Sequence, residues 1–329
     1  MNKVFVTGAD GMLGSSVCRA LIKQNYQVKA FCLSDKLQKN LADLAVEVEY
    51  GNILNKASIE KGMQGCDYVI HVAASTAMWP RRNSMVRDVN ITGTINVMEA
   101  AKVHHIKRMI HIGTANSFKH GSIQNPGDEI GDYDASRYKM DYMDSKFEIQ
   151  NLLLDEYKKS GFPILIINPT YMIGPFDALP SSGKMIIGIY KNKIPGYTMG
   201  GKNFVCSQDV ATAAVNALSM GRPGECYIAG NKNLTYKDFF IKVNKVIGKK
   251  FELKEIPSWL VLAFGGMNSL IARMIGKKPE ISYGLADIAR VGMYFTAEKA
   301  RKELAMPQTP IEEGIKQCID WFKKNNYLE

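Results

Sequence analysis

Residues 1–24 read MNKVFVTGADGMLGSSVCRALIKQ, and the fold turns on how this stretch is read. Val4, Phe5 and Val6 form a short apolar run that stops at Thr7–Gly8. Gly11 and Gly14 follow at three-residue intervals, while Met12, Leu13, Val17, Leu21 and Ile22 recur at helical spacing. The plain reading of the glycines is a tight turn that needs positive φ. The sharper reading is a phosphate cradle. Backbone without Cβ atoms lets a pyrophosphate come close, and a helix N-terminus adds unpaired N–H groups and a favourable dipole. A glycine triplet alone is a weak signal. This one follows a strand pattern and precedes a helical one, which is the setting a dinucleotide site requires. Its spacing is G-x-x-G-x-x-G, not the commoner G-x-G-x-x-G.

Strand and helix patterns go on alternating. Strands are predicted over 26–33, 46–52, 66–74, 107–115 and 162–170, with long helices over 85–103 and 136–160. Continuous apolar strands separated by helices predict an α/β fold with a doubly wound parallel sheet, its ligands at the strand C-terminal ends. After Pro169 the chain turns Gly/Pro-rich. A helix over 208–221 and a strand over 224–231 then return to the sheet. The expected division is a dinucleotide-binding domain of 1–170 plus about 203–231, and a smaller, mostly helical substrate domain of about 171–202 plus 232–329.

With 329 residues the chain can bury a large core. Six scattered cysteines lack any C-x-x-C spacing and five histidines show no ligand spacing, so no metal site is expected. The first apolar run is too short for a secretory signal, and reduced thiols fit a cytoplasmic setting. The formal charge is +10, but the lysines are spread out and lack aromatic interleaving, so a nucleic-acid partner is not expected. The most apolar segment, WLVLAFGGMNSLIARMI (259–275), is short for a membrane span and carries Gly265–Gly266 and Arg273. It reads as a buried or pocket-lining helix, and membrane contact is not the expectation.

The helix after the fifth strand contains YKMDYMDSKFE, with Tyr142 and Lys146 four apart and so on one face. An ammonium one turn away favours the phenolate, which suits proton exchange near neutral pH. The same amine can donate to a nicotinamide ribose hydroxyl. Thr114, where the fifth strand ends in IHIGTANS, can hydrogen-bond a substrate oxygen as charge develops there. Ala73–Ala74, after the fourth strand, let a flat ring lie beside them. Each feature also has an ordinary structural reading: a chance pair, a turn threonine, tight packing. Together they occur in the order a single active site needs.

These stretches resemble an extended short-chain dehydrogenase/reductase almost end to end. The resemblance rests on VTGADGMLGSSV, GNILNKASIEKGMQGCDYVIHVAAS, DVNITGTINVMEAAK, RMIHIGTANS, YMDSK and NPTYMIGPFD. It is similar to the dihydroflavonol-reductase-like branch of the NAD-dependent epimerase/dehydratase family. HVAASTAMWP, GRPGECYIAGN and the tail from Tyr294 resemble proteins labelled hopanoid-associated sugar epimerases. The resemblance implies a Rossmann-type fold, a Thr114–Tyr142–Lys146 triad, a cofactor loop at Gly8, Gly11 and Gly14, a role for Asn90 in an Asn-x-x-Gly-Thr motif, and homodimers through the two long helices. The departures are Ile112–Gly113–Thr114 where the branch writes Thr-Ser-Ser, with Ser117 as a rival hydroxyl, and Asn52 in place of an acid.

The expected cofactor contacts also include Met12, Leu13, Ser34, Lys36, Ile53, Val72, Asn168 and Pro169. Substrate contacts are expected from Ser75, Thr76, Trp79 and Tyr171, with Phe176, Met185–Ile189 and the 259–271 helix around them. The end of the second strand decides between cofactors. Cys32 stands where an acid would bind a ribose hydroxyl, and Leu33 where an arginine would meet a 2′-phosphate. Ser34 and Lys36 can bind a phosphate and Asp35 a hydroxyl; NADP(H) is favoured over NAD(H). The expected reaction is reversible carbonyl/alcohol oxidoreduction of a small, largely apolar substrate. The rival is a nucleotide-sugar epimerase or dehydratase with retained NAD, for which the second half has few arginines (222, 273, 290, 301) to grip a diphosphate. A redox-sensing binding protein is the third reading, opposed by the Tyr/Lys pair.

Overall fold

The computed structural model describes residues 1–249 and 253–328, and within these the side chains of 36–38 are outside the description. The first half alternates β1 (Lys3–Thr7), α1 (Met12–Lys23), β2 (Gln27–Cys32), β3 (Glu47–Tyr50), α2 (Lys56–Met63), β4 (Tyr68–His71), α3 (Ser84–Arg87), α4 (Gly93–Val103), β5 (Arg108–Ile112), α5 (Asp141–Ser160) and β6 (Ile164–Pro169). The second half holds β7 (Tyr171–Ile173), α6 (Gly183–Tyr190), β8 (Gly196–Tyr197), β9 (Gly201–Cys206), α7 (Ser207–Asn216), β10 (Cys226–Ala229), β11 (Lys232–Thr235) and α8 (Tyr236–Ile247). It ends with β12 (Lys254–Glu255), α9 (Ser258–Met274), α10 (Tyr283–Ala289), β13 (Gly292–Met293), α11 (Glu298–Leu304) and α12 (Ile311–Lys324).

Seven strands form one sheet in the order β3-β2-β1-β4-β5-β6-β10, with every neighbouring pair parallel. This is the doubly wound α/β architecture that strand–helix alternation predicts. Both faces are covered, which is why the central strands read as apolar runs, while the edge strand β3 (EVEY) does not. On one face Val17, Leu21, Val210 and Ala214 of α1 and α7 pack over Val6, Ile70, Ile110 and Leu165. On the other, Ile59, Val97, Ile149 and Leu153 of α2, α4 and α5 cover Phe5, Val69, Met109 and Ile166.

The second lobe is built around a small sheet, with β9 paired to β11 on one side and to β13 and β7 on the other. Its core is aromatic: the Phe204 and Phe239 rings stack 4.0 Å apart, among Ile186, Ile315 and Phe322. β9 straddles the expected boundary at 202–203 and lies wholly in the small sheet, while α11 packs Ala300 and Leu304 onto the large one.

The helix predicted over 136–160 is interrupted. A 3-10 turn at Ala135–Tyr138 ends at Lys139 in the left-handed region (φ 52°), and α5 starts only at Asp141. The break lets Met140 bury completely, while the Asp141 carboxylate accepts from Asn83 N at 2.6 Å. It thereby sets Tyr142 in the first turn of α5. The 85–103 helix carries a π turn at Asp88–Thr92, which contains Asn90. Of the two readings of the 259–275 segment, the buried helix is not found, while Gly266, Ser269, Leu270 and Arg273 do line a groove. Among its large apolar side chains Trp259, Met267, Leu270 and Met274 are all more than half exposed, because small residues form its packing face.

Candidate active site

Backbone contacts build the glycine turn. Gly8 has φ +62°, and a Cβ there would lie 2.8 Å from Ala73 Cα, so the ends of β1 and β4 touch without side chains between them. A Cβ at Gly14 would lie 2.0 Å from Gly8 O, so α1 presses directly on the turn. Gly11 differs: its Cβ would meet only Gly8 O, at 3.4 Å. Gly11 is the N-cap of α1 with no side-chain cap, so the first-turn N–H groups have no protein side chain to satisfy them. An anionic group is the natural partner there.

A cleft of about 730 Å³ runs along the strand ends. It is lined by Gly8, Gly11, Met12, Leu13, Gly14, Asn52, Ile53, Val72, Ala73, Ala74, Ser75, Thr76, Thr114, Tyr142, Lys146 and Pro169, all expected from the sequence. The cleft, the uncapped helix and the side-chain-free turn fit a dinucleotide. Asn52 uses Oδ1 to accept from Leu54 N at 2.9 Å, shaping its own turn.

Thr114, Tyr142 and Lys146 come together at one end of this cleft. Thr114 and Tyr142 both line the cleft there, and the Thr114 hydroxyl favours the ionised form of the Tyr142 phenol. Thr114 is fixed through its carbonyl, which accepts from Asn168 Nδ2 at 3.1 Å, and Asn168 in turn donates to Gln150 Oε1 at 2.7 Å. Lys146 is buried; its Nζ donates to Ile112 O at 2.5 Å and meets His111 Nε2 at 3.4 Å. Burial pushes the Lys146 amine down to about 7 and raises the Tyr142 phenol, an effect the Thr114 hydroxyl opposes. The Tyr142–Lys146 spacing predicts a favoured phenolate, and burial acts against it. Desolvation dominates both groups, and the lysine is drawn toward the end of β5.

Behind the lysine lies a polar row. His71 and His111 are register partners on β4 and β5, with ring centroids 5.3 Å apart. His71 Nδ1 meets Thr7 Oγ1 at 2.6 Å, and Nε2 meets Thr94 Oγ1 at 2.9 Å. Thr94 Oγ1 donates to Asn90 O at 2.7 Å, so Nε2 is the protonated nitrogen of His71. Burial, then the nearby Lys146, hold His71 down to about 3 and His111 well below the usual imidazole range.

Other expected residues sit elsewhere. Asn90 is buried and does not line the cleft; it clamps the loop after β4, accepting from Ser75 N at 2.8 Å and donating to Ser75 O and Ser145 Oγ at 3.0 Å each. Asn168 is likewise buried behind Thr114. Tyr171 faces the small-sheet core, its hydroxyl donating to Ser182 O at 3.2 Å. Trp79 lines a separate groove with Arg81 and Arg273. Met185 and Ile187 pack in the second-lobe core, and Phe176 reaches the cleft. Ser117 faces another cavity, with Glu129 and Lys299. Ser34 is half-buried after β2 and does not line the cleft, and the Lys36 side chain lies outside the described residues. Sequence reasoning missed Asp10, which lines the cleft and whose carboxyl burial raises while the neighbouring Cys32 opposes the rise. It also missed His71, His111 and Gln150. The shared signal was a histidine at the same place in "VIHVA" and "MIHIG".

Residues 4–230 match the family described as NAD dependent epimerase/dehydratase. The chain belongs to that family. It is 27% identical to a protein named putative dihydroflavonol 4-reductase from Synechocystis, over 99% of this chain and 96% of the relative. It is 26% identical to a 2-alkyl-3-oxoalkanoate reductase from Shewanella oneidensis, over 96% of this chain and 85% of that protein. The crystal structure of gox2253 superposes with a TM-score of 0.86 at 26% identity, each chain covered completely. The protein is thus an enzyme of the extended short-chain dehydrogenase/reductase type, in an NAD-dependent family.

The buried amine predicts a pH-dependent cost. Lys146 titrates at about 7 when folded and near its ordinary 10.5 when unfolded. Between those values the unfolded chain binds more protons, so this group's contribution to stability rises with pH, and the full penalty applies below 7. Relative to wild type, Lys146→Met should therefore be at its most stabilised near pH 6. That advantage should shrink by up to about 1.4 kcal/mol per pH unit above 7. Denaturant melts of both proteins from pH 6 to 10 test this; a difference independent of pH would mean that the amine is not desolvated.

Proposed function

We propose that this enzyme is an NAD(P)(H)-dependent oxidoreductase that reduces a carbonyl, or oxidises the matching alcohol, of a small and largely apolar substrate. The supporting observation is the content of the cleft. Thr114 and Tyr142 offer two hydroxyls in the same cleft as Lys146, while Met85, Val89, Met172, Phe176 and Leu179 supply apolar wall. Among the described residues lining the cleft, Lys146 is the sole cation. A sugar nucleotide's diphosphate would find no arginine there, which weighs against the epimerase reading. The two relatives named above are both reductases by name, which supports the same choice.

A bound nicotinamide supplies or accepts the hydride. In the reductive direction Tyr142, kept protonated by its raised pKa, donates its hydroxyl proton to the substrate oxygen. Thr114 donates a hydrogen bond to the same oxygen as negative charge develops. Lys146, charged when its own proton is retained, steadies the phenolate that Tyr142 becomes and offers an N–H to the cofactor's ribose. Asn168 and Gln150 hold the Thr114 backbone in place. The homodimer expected through α4 and α5 belongs to the same proposal; Val103 and Leu152 are exposed there.

The activity is tested by NADPH and NADH oxidation over aldehydes, flavanonols and ketosteroids. Tyr142→Phe should lower kcat about 10²- to 10⁴-fold with nucleotide affinity unchanged, and Thr114→Val should lower it about 10²-fold. Turnover surviving in Tyr142→Phe would remove the assigned acid. Tightly held NAD released on denaturing purified protein would instead point to the epimerase.

For the cofactor we favour NADP(H). Cys32 provides no carboxylate at the end of β2, and Ser34 and Lys36 follow it in sequence. Asp10 is the opposing charge, held against the Cys32 thiol. Asp10→Asn should tighten NADPH more than NADH, and Lys36→Ala should loosen NADPH more than NADH. Equal effects on both nucleotides, read by fluorescence titration, would end the NADP assignment.

A further inference from the structure

Helix α9 packs with its small side chains inward and its large apolar ones outward. Gly265, Ser269 and Ala272 are its buried residues. A Cβ at Gly265 would lie 2.7 Å from Ala286 Cβ on α10, and Ser269 Oγ accepts from Tyr283 N at 2.8 Å. On a helix of 3.6 residues per turn, Trp259, Met267, Leu270 and Met274 fall on the opposite side. They are 67%, 56%, 61% and 79% exposed. Rolling the helix to cover them would break the Gly265 contact and the Ser269 bond, so the outward face is fixed by packing. One exposed leucine needs no explanation, but a whole apolar helix face does.

The surrounding charges indicate what covers it. No charged residue occurs from 256 to 272. The flanks carry exposed Lys254, Arg273, Lys277 and Lys278 against Glu255 and Glu280. Lys254 and Glu255 cancel, so the cationic excess lies at the C-terminal end of the helix; an apolar face ending in such a cluster suits an anionic lipid surface, with the apolar side chains at the acyl boundary and the cations among the head groups. A second copy of the chain fits poorly, because a self-complementary contact would bring the same cations together on a protein of formal charge +10. The helix is 17 residues long, about 25 Å, and no helix among the described residues is long and apolar enough to cross a membrane. On such a surface a helix of this length would lie in the plane of the interface.

We propose that α9 and its flanking cations dock this enzyme on an anionic lipid bilayer. The groove that Trp79 and Arg81 form with Ser269, Arg273 and Tyr283 runs along the same helix, with the Arg273 guanidinium 5.7 Å from the Trp79 ring centroid. Docking would set that groove at the bilayer surface.

The test is co-sedimentation of the full chain with phosphatidylcholine vesicles, with and without about one-third phosphatidylserine. Binding should need the anionic lipid and weaken as salt is raised. Leu270→Glu/Met274→Glu should lower the partition coefficient at least about tenfold, and Lys277→Glu/Lys278→Glu should lower it on anionic vesicles. These side chains are exposed, so Tm should stay at the wild-type value in both variants. Three results would overturn the proposal: wild type left in the supernatant with both lipids, equal binding by the Leu270→Glu/Met274→Glu variant, or a dimer that this variant dissociates while wild type ignores vesicles.

Discussion

Three backbones meet in this protein with nothing between them. The end of β1, the first turn of α1 and the end of β4 touch through Gly8, Gly14 and Ala73, where added Cβ atoms would lie 2.8 Å and 2.0 Å from main-chain atoms. That contact lowers the start of α1 onto the strand ends and leaves its N–H groups open. The rest follows from sheet register. β1, β4 and β5 are adjacent and parallel, so Thr7, His71 and His111 line up in one row. The catalytic candidates therefore sit within one dinucleotide's reach of the glycine turn because the sheet is parallel and the turn is bare. The two conditions are separate, and neither produces the cleft alone.

Under the reacting end the protein keeps water away from a row of polar groups. Lys146, His71 and His111 are all buried, and among the described residues the lysine meets the Ile112 carbonyl and the His111 imidazole, with no carboxylate bonded to it. A lone buried cation is costly, and the cost appears as an amine that titrates at about 7. The two imidazoles stay neutral for the same reason. This environment strengthens any charge–charge contact made inside it. In the proposed reaction a phenolate formed at Tyr142 would strengthen the proton's hold on Lys146. Spacing on a helix shows that the two residues are neighbours. Which one yields depends on desolvation, and that comes from the strand behind them.

Much of the architecture was legible because periodicity reports burial. Val4–Val6, Tyr68–His71 and Ile164–Pro169 read as strands since both sheet faces are covered, and the glycine turn announced itself by its place between β1 and α1. Candidate site residues at strand ends were placed for the same reason. What stayed hidden depended on contacts across the sheet. Asn90 and Asn168 are polar residues near the site, and sequence cannot say that one clamps the Ser75 backbone and the other the Thr114 carbonyl. Asp10 occupies a variable position of the glycine turn, and its meeting with Cys32 needs β1 beside β2. Tyr171 follows β6 by two residues, but β7 pairs with β9 and carries its ring into the second core.

The 259–275 segment shows a limit of hydropathy that differs from a missed contact. Both of its faces are apolar or small, so composition states that the helix is greasy without saying which way it points. Orientation is decided by how closely two helices can approach, and here the decisive residues are the smallest. Gly265 allows α10 within a methyl group's contact, and Ser269 ties the start of α10 to the helix. A leucine at either place would hold the helices apart and expose their backbones' sides to water. Close approach along a narrow small-residue stripe thus outweighs burial of the larger side chains, provided those side chains have somewhere else to go. That proviso connects the fold to its surroundings: a helix packed by its glycine and serine can persist only if its outward leucines and methionines are tolerated by what lies outside the chain.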